Sequence, residues 1–271
     1  MKVLARRMLA VVVVFCVAAT VCATAQDRRT VTEPKVPAVC ARLSPSLTSV
    51  NGNLREADEG RLDSERLQHA LDTCPAGEAV VLQADGAHDA FLSGPLSLPA
   101  GVTLLLEQGV TLYASRDPVR YQPTPGSCGV VNTQEPGCKP LIAVHNASHA
   151  AVMGDGVIDG RGYAQLLGGS VTWWQLAEQA RAGGRQQVPR LIVADGSDDF
   201  TLYRITLKNS PNFHVTFANG KGFTAWGVKI DTPKTARNTD GIDPGGSATD
   251  VTVTKSYIST GDDQIAIKGS G

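Results

Sequence analysis

The sequence is poor in aromatic residues and, beyond its first two dozen positions, in long apolar runs. Aromatic side chains make up 5% of the 271 residues, and the formal net charge is −1. Without a further apolar run of about 20 residues, the rest of the chain has no candidate membrane span. We expect no nucleic-acid partner. The chain is 42% hydrophobic, which is enough to bury the core of one sizeable domain.

Residues 1–25 have the pattern of a secretory signal peptide. A basic region, an apolar region and a small-residue cleavage site follow one another: Lys2, Arg6 and Arg7; residues 9–21; and Ala23-Thr24-Ala25. The apolar region is too short for a membrane anchor. Cleavage would leave 271 − 25 = 246 residues and, with three bases removed, a net charge of −1 − 3 = −4. We therefore expect a secreted protein, extracellular or periplasmic, with no membrane association after cleavage.

Four of the six cysteines would remain after cleavage: Cys40, Cys74, Cys128 and Cys138. An even number of cysteines in an exported chain predicts two disulfides. Four cysteines allow three connectivities, of which the simplest pairs Cys40 with Cys74 and Cys128 with Cys138. Zinc is the competing interpretation, but the sequence has no C-x-x-C motif and no paired histidine spacing. We expect no metal and no cofactor.

The mature chain begins with a polar segment and continues as one domain. Residues 26–60 are polar, contain proline and show no clear period, which predicts a loosely packed lead-in. The domain, residues 61–271, begins with a short helix over residues 64–73, with Asp63 or Ser64 as its N-cap. Such a helix would cover the first, otherwise bare, end of a stacked repeat structure.

Short β-type runs replace helical signals after this helix. Each is three to five residues long and is bounded by Gly, Pro, Asn or Asp. They are residues 79–82, 102–106, 110–112, 141–144 and 191–193. No Asn-Gly hairpin turn connects them, so the pattern favours an all-β parallel β-helix over a sandwich.

A pair of short strands repeats along the second half of the chain. The alignment joins residues 199–202, 222–225 and 250–253 in one strand, and 205–207, 228–230 and 256–258 in the other. The second shift is longer than the first, as in solenoid coils with turns of variable length. The extra residues of the longer repeat lie around 234–246, where an insertion often marks the binding face.

Residues 171–182 interrupt the repeats and predict a helix in a loop between coils. Trp173 and Trp174 offer a platform for a sugar ring, but the expected role of this pair is to pack the loop onto the coils.

Two aspartate-bearing turns are separated along the chain by about one coil of this repeat. They are Asn238-Thr239-Asp240-Gly241 and Gly261-Asp262-Asp263-Gln264. Coils stack at roughly 4.8 Å, so three carboxylates would become neighbours. Each aspartate alone is equally consistent with an Asx-turn. A stacked set has a raised pKa on one member and therefore offers both the acid and the base that glycosidic hydrolysis needs.

At these residues the chain resembles the polygalacturonases, glycoside hydrolase family 28. The resemblance covers about residues 63–271, and its motifs are Asn238-Thr239-Asp240, Gly261-Asp262-Asp263, Asn209-Ser210-Pro211, Ile158-Asp159-Gly160 and Ser93-Gly94-Pro95-Leu96. It implies a right-handed, pectin lyase-like parallel β-helix. It also implies hydrolysis of α-1,4-linked galacturonic acid in the pectin of plant cell walls, with inversion at the anomeric carbon.

The resemblance also assigns roles to four residues of this sequence. Asp262 resembles the general acid that protonates the glycosidic oxygen. Asp240 and Asp263 resemble the carboxylates that activate water. Asn238 resembles a residue that shapes the substrate-binding cleft.

The sequence departs from the family pattern in two respects. The family carries a Gly-His-Gly turn and an Arg-x-Lys motif beyond the paired aspartates, and neither occurs before Gly271. We therefore expect a C-terminally truncated chain with weak or no activity alone, whose partner would be the missing C-terminal part. Residues 221–268 hold six bases and six acids, so the count gives no excess of positive charge for a polyanion.

Two other functions fit the same solenoid. A pectate lyase would hold Ca²⁺ with the clustered aspartates and abstract a proton with an arginine. A non-catalytic polysaccharide-binding solenoid would use the aspartates as turn residues. Hydrolysis is favoured because no arginine stands in motif context beside the aspartates, while endo or exo action and the exact pectin substrate stay open.

Overall fold

The chain folds as a parallel β-helix, and its strands alternate among three sheets. The computed structural model describes residues 27–132 and 137–269, so the sequence-predicted signal peptide, residues 1–25, lies outside the described residues. In chain order the strands are β1 Ala38–Leu43, β2 Glu78–Leu82, β3 Ala90–Ser93, β4 Leu96–Ser97, β5 Thr103–Leu106, β6 Thr111–Ala114, β7 Val130–Asn132, β8 Ile142–His145, β9 Ala151–Met153, β10 Val157–Asp159, β11 Arg185–Gln187, β12 Ile192–Asp195, β13 Phe200–Tyr203, β14 Thr206–Lys208, β15 Val215–Ala218, β16 Lys221–Trp226, β17 Lys229–Asp231, β18 Ile242–Gly246, β19 Thr249–Thr254, β20 Tyr257–Ser259 and β21 Lys268–Gly269.

All strand pairs within the three long sheets are parallel, as a β-helix requires. Sheet one has the order β1-β2-β5-β9-β13-β16-β19, sheet two β3-β6-β10-β14-β17-β20 and sheet three β4-β8-β12-β15-β18-β21. A separate antiparallel pair joins β7, from the segment between β6 and β8, to β11, from the segment between β10 and β12. The parallel β-helix expected from the sequence is confirmed.

The strand register reproduces the repeat seen in the sequence. Phe200 pairs with Phe223, which in turn pairs with Val251. In sheet two, Thr206 pairs with Lys229 and Lys229 with Tyr257. The two sequence shifts therefore correspond to successive coils.

Inward-pointing side chains of the three sheets form one continuous apolar core. Aromatic rings stack along its axis, with the Phe217 and Phe223 ring centroids 5.2 Å apart and those of Phe200 and Phe223 5.9 Å apart. All three rings are fully buried. Because the core is a column, each coil buries its apolar residues against the coils on either side.

The helix α1, Ser64–Thr73, forms as the sequence predicts and buries Leu67 and Leu71 against the core. Asp63 is the N-cap residue by position, but its carboxylate does not cap the helix. It accepts instead from the backbone N–H of Leu92 at 2.9 Å and from Arg66. Asp63 therefore links the start of the helix to strand β3 of the first coils.

The segment expected to be a loose lead-in contains the first strand of sheet one. Strand β1 pairs with β2, and the Cys40–Cys74 disulfide joins this strand to the end of α1. Most of its residues are at least partly exposed, which removes the apolar alternation that marks a strand in a sequence. Farther upstream, Arg28 pairs with the carboxylate of Asp250, which lies in β19, the last strand of the same sheet.

The excursion between β10 and β12 carries helix α2, Trp173–Gln179, and contains β11. Trp173 is fully buried and meets the Tyr121 ring edge-on at 6.0 Å, while Trp174 donates its indole N–H to the backbone oxygen of Ser210. Both tryptophans therefore pack the excursion onto the coils. The Cys128–Cys138 disulfide lies beside it, so the structure contains both bonds of the simplest connectivity.

Three short 3-10 helices complete the secondary structure of the described residues, at Glu56–Asp58, Pro118–Tyr121 and Ala180–Ala182. No helix in this part of the chain is long and apolar enough to cross a membrane.

Substitution of one of the stacked rings tests the column. Phe217→Ala should lower the free energy of unfolding by about 3–5 kcal/mol, because it removes a fully buried ring and leaves a cavity. Val119→Ala, at a side chain that is 67% exposed, should change it by less than about 0.5 kcal/mol. Equilibrium urea unfolding of both variants makes the comparison, and equal losses would contradict the packed column.

Candidate active site

The two aspartate-bearing turns lie on adjacent coils at the same end of sheet three. The backbone N–H of Gly241 donates to the backbone carbonyl oxygen of Asp263 at 2.9 Å, and the backbone N–H of Ile242 donates to that of Gln264 at 3.1 Å. The next bridge joins Ile242 to Ile265. This ladder sets the turn that carries Asp240 beside the turn that carries Asp262 and Asp263, so all three sequence-predicted aspartates come together.

The three aspartates have different environments. Asp240 is 3% exposed, whereas Asp262 and Asp263 are exposed to solvent. Burial raises the pKa of Asp240; a hydrogen bond from Lys268 opposes that rise, and the nearby charge of Asp262 adds to it. One buried and two accessible carboxylates thus share one surface.

A fourth carboxylate, Asp243, belongs to the cluster and was missed by the sequence analysis. It is 1% exposed, and neither of its oxygens has a hydrogen-bond partner among the described residues. Burial, reinforced by the charge of Asp240, raises the pKa of Asp243 to about 7. Its position three residues after Asp240, where strand alternation turns it away from the core, was the available signal.

Lys268 from the following coil bridges the two buried carboxylates. Its Nζ lies 2.9 Å from Asp240 Oδ2 and 3.7 Å from Asp243 Oδ2, and 5.1 Å from the centroid of the Phe213 ring. The hydrogen bond to Asp240 raises the pKa of Lys268. This fixed positive charge favours the ionised form of Asp240, and the sequence analysis assigned it no role.

A buried histidine holds the Asp240 turn from the preceding coil. The backbone N–H of His214 donates to the backbone carbonyl oxygen of Asp240 at 2.8 Å, and the ring Nδ1 of His214 lies 3.0 Å from the same oxygen. A carbonyl only accepts, so Nδ1 carries the proton and Nε2 accepts from the hydroxyl of Thr232 at 2.8 Å. That hydroxyl accepts in turn from the N–H of Asn209. Burial lowers the pKa of His214 to about 4, so the ring is neutral.

Two of the resemblance motifs form the corner that supports this network. The side-chain amide of Asn209 donates to the buried Asp159 at 3.0 Å. A Cβ at Gly160 would lie 2.9 Å from the Asn209 backbone oxygen, so the two turns stack too closely for a larger residue. Asn209 and Asn238 both have positive φ, 49° and 57°, a conformation that asparagine tolerates better than most residues. These motifs therefore position the site.

A pocket of 590 Å³ opens beside the aspartate cluster. Asn238, the residue expected to shape the cleft, and Phe213 line it where it approaches Asp240. Three arginines also line it, Arg185, Arg190 and Arg237, and none of the described lining residues is acidic. The charge count over residues 221–268 missed this cationic surface because Arg185 and Arg190 lie outside that range, in the excursion between β10 and β12.

Comparison with known proteins agrees with this geometry. Residues 89–271 match the family model described as glycosyl hydrolases family 28. The chain belongs to this family. It is 47% identical over 247 residues to the endo-polygalacturonase of Pectobacterium carotovorum subsp. carotovorum, covering 91% of this chain and 58% of that protein. It is 40% identical to the polygalacturonase of Ralstonia nicotianae, covering 89% of this chain and 53% of that protein.

A solved structure of a similar protein has the same fold. The polygalacturonase from Erwinia carotovora ssp. carotovora superposes with a TM-score of 0.82 at 44% identity, covering 90% of this chain and 61% of that one. The family resemblance expected from the motifs is confirmed. The chain spans a little more than half of the length of the curated relatives it matches.

The neutral, buried His214 predicts a pH dependence of stability in this family 28 chain. The unfolded ring, with an ordinary pKa of 6.5, binds a proton that the folded ring takes up only near pH 4. The free energy of unfolding should therefore fall as pH drops from about 6.5 to 4, by up to about 3 kcal/mol from this residue. Urea unfolding measured across that range checks it.

Two substitutions isolate the histidine from the carboxylates that titrate in the same range. His214→Gln should remove most of the contribution that His214 makes to the pH dependence of the free energy of unfolding. It should also lower the free energy of unfolding at pH 7, because hydrogen bonds of the ring are lost. His88→Gln, at an exposed histidine, should leave the slope unchanged. An unchanged slope in His214→Gln would contradict the buried neutral ring.

Proposed function

We propose that this chain carries the catalytic carboxylates of an enzyme that hydrolyses α-1,4-galacturonosyl linkages in polygalacturonate. The observation that carries the proposal is the hydrogen-bond ladder that sets Asp240 beside the turn bearing Asp262 and Asp263. Its relatives are described as endo-polygalacturonase and polygalacturonase. The arginine-lined pocket beside the carboxylates suits an anionic sugar polymer.

The carboxylates divide the reaction between them. Exposed Asp262, when protonated, gives its proton to the glycosidic oxygen as the bond from that oxygen to the anomeric carbon breaks. A water molecule attacks the anomeric carbon and loses its proton to Asp240 or Asp263. The products are a free hydroxyl on one sugar and a hemiacetal on the other, with the configuration inverted as the family resemblance implies.

Lys268 and Asp243 set the charge state of the base. The ammonium 2.9 Å from Asp240 favours an ionised carboxylate there despite burial. Asp243, with a pKa of about 7, is partly protonated near neutral pH and adds less than a full negative charge beside it. The ammonium therefore supports Asp240 as a base despite its burial, beside the exposed acid Asp262, and the exposed Asp263 is the second candidate base.

We further propose that the protein acts outside the cytoplasm, in the extracellular space or periplasm. The signal-like residues 1–25 and the two disulfides support this location.

Neutralising the acid tests the reaction. Asp262→Asn should lower kcat on polygalacturonate by a factor of roughly 10²–10⁴, because an amide cannot donate the proton. Asp231→Asn, at a partly exposed aspartate on sheet two, is the matched control, and its kcat should stay within twofold of that of the unsubstituted chain. The assay measures reducing ends with a chelator present. Ultraviolet-absorbing unsaturated products that depend on Ca²⁺ would point to a lyase, and full activity of Asp262→Asn would overturn the assignment.

Removing the ammonium tests the assignment of the base. Lys268→Met should move the acidic limb of the pH–rate profile to higher pH, because Asp240 loses the charge that favours its ionised form. Lys268→Arg keeps the charge and should keep the limb close to its original position. Lys255→Met, at an exposed lysine over Trp226, should leave it unmoved. An unmoved limb in Lys268→Met would show that Asp240 is not the titrating base.

A further inference from the structure

We propose that residues 27–37 form a strap across the outer face of sheet one, and that this strap holds in place the coil that joins the two aspartate-bearing turns. The strap makes its side-chain contacts with the sheet through Asp27, Arg28, Arg29 and Glu33. These contacts are independent of the reaction that the turns catalyse.

The strap spans the whole width of sheet one. Asp27 accepts a hydrogen bond from Thr252 in β19, the last strand of the sheet, and Ala38 begins β1, the first strand. Seven strands have 7 − 1 = 6 spacings of about 4.8 Å, so the two ends lie about 29 Å apart. The 38 − 27 = 11 steps of chain between them reach about 36 Å when fully extended. The segment is therefore nearly extended and crosses the strands.

Ion pairs and hydrogen bonds fix the first end of the strap to the last two strands of the sheet. Arg28 donates through Nε and Nη2 to the two carboxylate oxygens of Asp250, at 3.1 and 3.0 Å. The Arg29 guanidinium donates to the backbone oxygen of Phe223 at 2.8 Å and to the hydroxyl of Thr224 at 3.2 Å. These contacts join residues that are 194 to 222 positions apart in the chain.

The middle of the strap covers an apolar row on the outer face of the sheet. Strand register places Val81, Leu105, Met153 and Tyr203 next to one another, in a cluster separate from the core column. Each is at most 8% exposed, although strand alternation points it away from the core. The Tyr203 hydroxyl donates to the Glu33 carboxylate at 2.8 Å. An outward row that is this buried needs a cover, and the extended strap supplies one.

The anchored coil is the one that connects the two turns. The chain leaves Asp240 along β18, passes through β19 and β20, and then reaches Asp262. Asp250 and Thr252, which bind the strap, lie in β19 between these aspartates. Contacts that hold β19 should lower the frequency with which this coil opens, and therefore the frequency with which the ladder between the turns breaks.

Amide hydrogen exchange tests the strap and requires no substrate. Exchange is followed by mass spectrometry in the unsubstituted chain and in the double variant Arg28→Gln with Arg29→Gln. Loss of both anchors should speed exchange at least tenfold in residues 238–242 and 249–254, because the coil opens more often. Exchange in residues 103–112, on the first coils, should change by less than twofold.

A matched control removes two other ion-paired arginines beside the same sheet. Arg42 pairs with Glu107 and Arg204 with Asp155, both outside the strap. Arg42→Gln with Arg204→Gln should leave exchange in residues 238–242 and 249–254 within twofold, and circular dichroism checks that both double variants are folded. Unchanged exchange in the strap variant, equal acceleration in the control, or acceleration spread evenly over all coils would each overturn the strap.

A double-mutant cycle tests the anchor from the side of the sheet. Asp250→Asn removes the carboxylate that Arg28 binds, and asparagine tolerates the positive φ of 55° at this position. This variant should also speed exchange in residues 249–254, and adding Arg28→Gln should change the rate by less than twofold more, because the pair is already broken. Effects of the two substitutions that multiply would show that Arg28 and Asp250 do not act together as an anchor.

Discussion

Parallel hydrogen bonding between successive coils, in a fixed register, is the constraint on which the candidate site depends. A one-residue slip in sheet three would turn every outward side chain of a coil toward the core. The inward ring of Phe217 in β15 resists that slip, because a slip would expose this ring and separate it from Phe223 of sheet one. The apolar column therefore fixes where Asp240 lies relative to the next coil, although the side chains of the column are buried in the core.

The same ladder of hydrogen bonds brings a positive charge to the buried carboxylates. Asp240 and Asp243 are buried close to one another, which would be costly if both were charged without compensation. The next coil supplies Lys268 to both, and the raised pKa of Asp243 reduces the negative charge near neutral pH. From the coil before, His214 stays neutral and binds the backbone of the Asp240 turn without adding charge. The Asp240 turn thus takes its support from both neighbouring coils.

Much of the fold was predictable from the sequence, because each coil repeats a local pattern. The helix at Ser64–Thr73, the strand pair that recurs from coil to coil and the three turn aspartates all follow from short segments. Strand β1 was missed because it is largely exposed and lacks alternation. The sequence shows which residues can belong to a site more readily than how their neighbours modify them.

The missed site residues have another cause in common. Asp243 gains its properties from burial, and Lys268 from the coil that places it over Asp240. Arg185 and Arg190 reach the pocket from the excursion between β10 and β12, which precedes the aspartate turns by more than one coil of chain. These are consequences of tertiary contact, and a count of charges along the chain does not contain them.

The central claim is that carboxylates on adjacent coils act as one unit, and a double-mutant cycle tests it most directly. The kcat on polygalacturonate is measured for the unsubstituted chain, Asp240→Asn, Asp262→Asn and the double variant. Groups that act together in one transition state lose activity non-additively. The double variant should therefore be little worse than the more damaged single variant. Losses that multiply as for independent sites would show that the ladder aligns these aspartates without joining their chemistry.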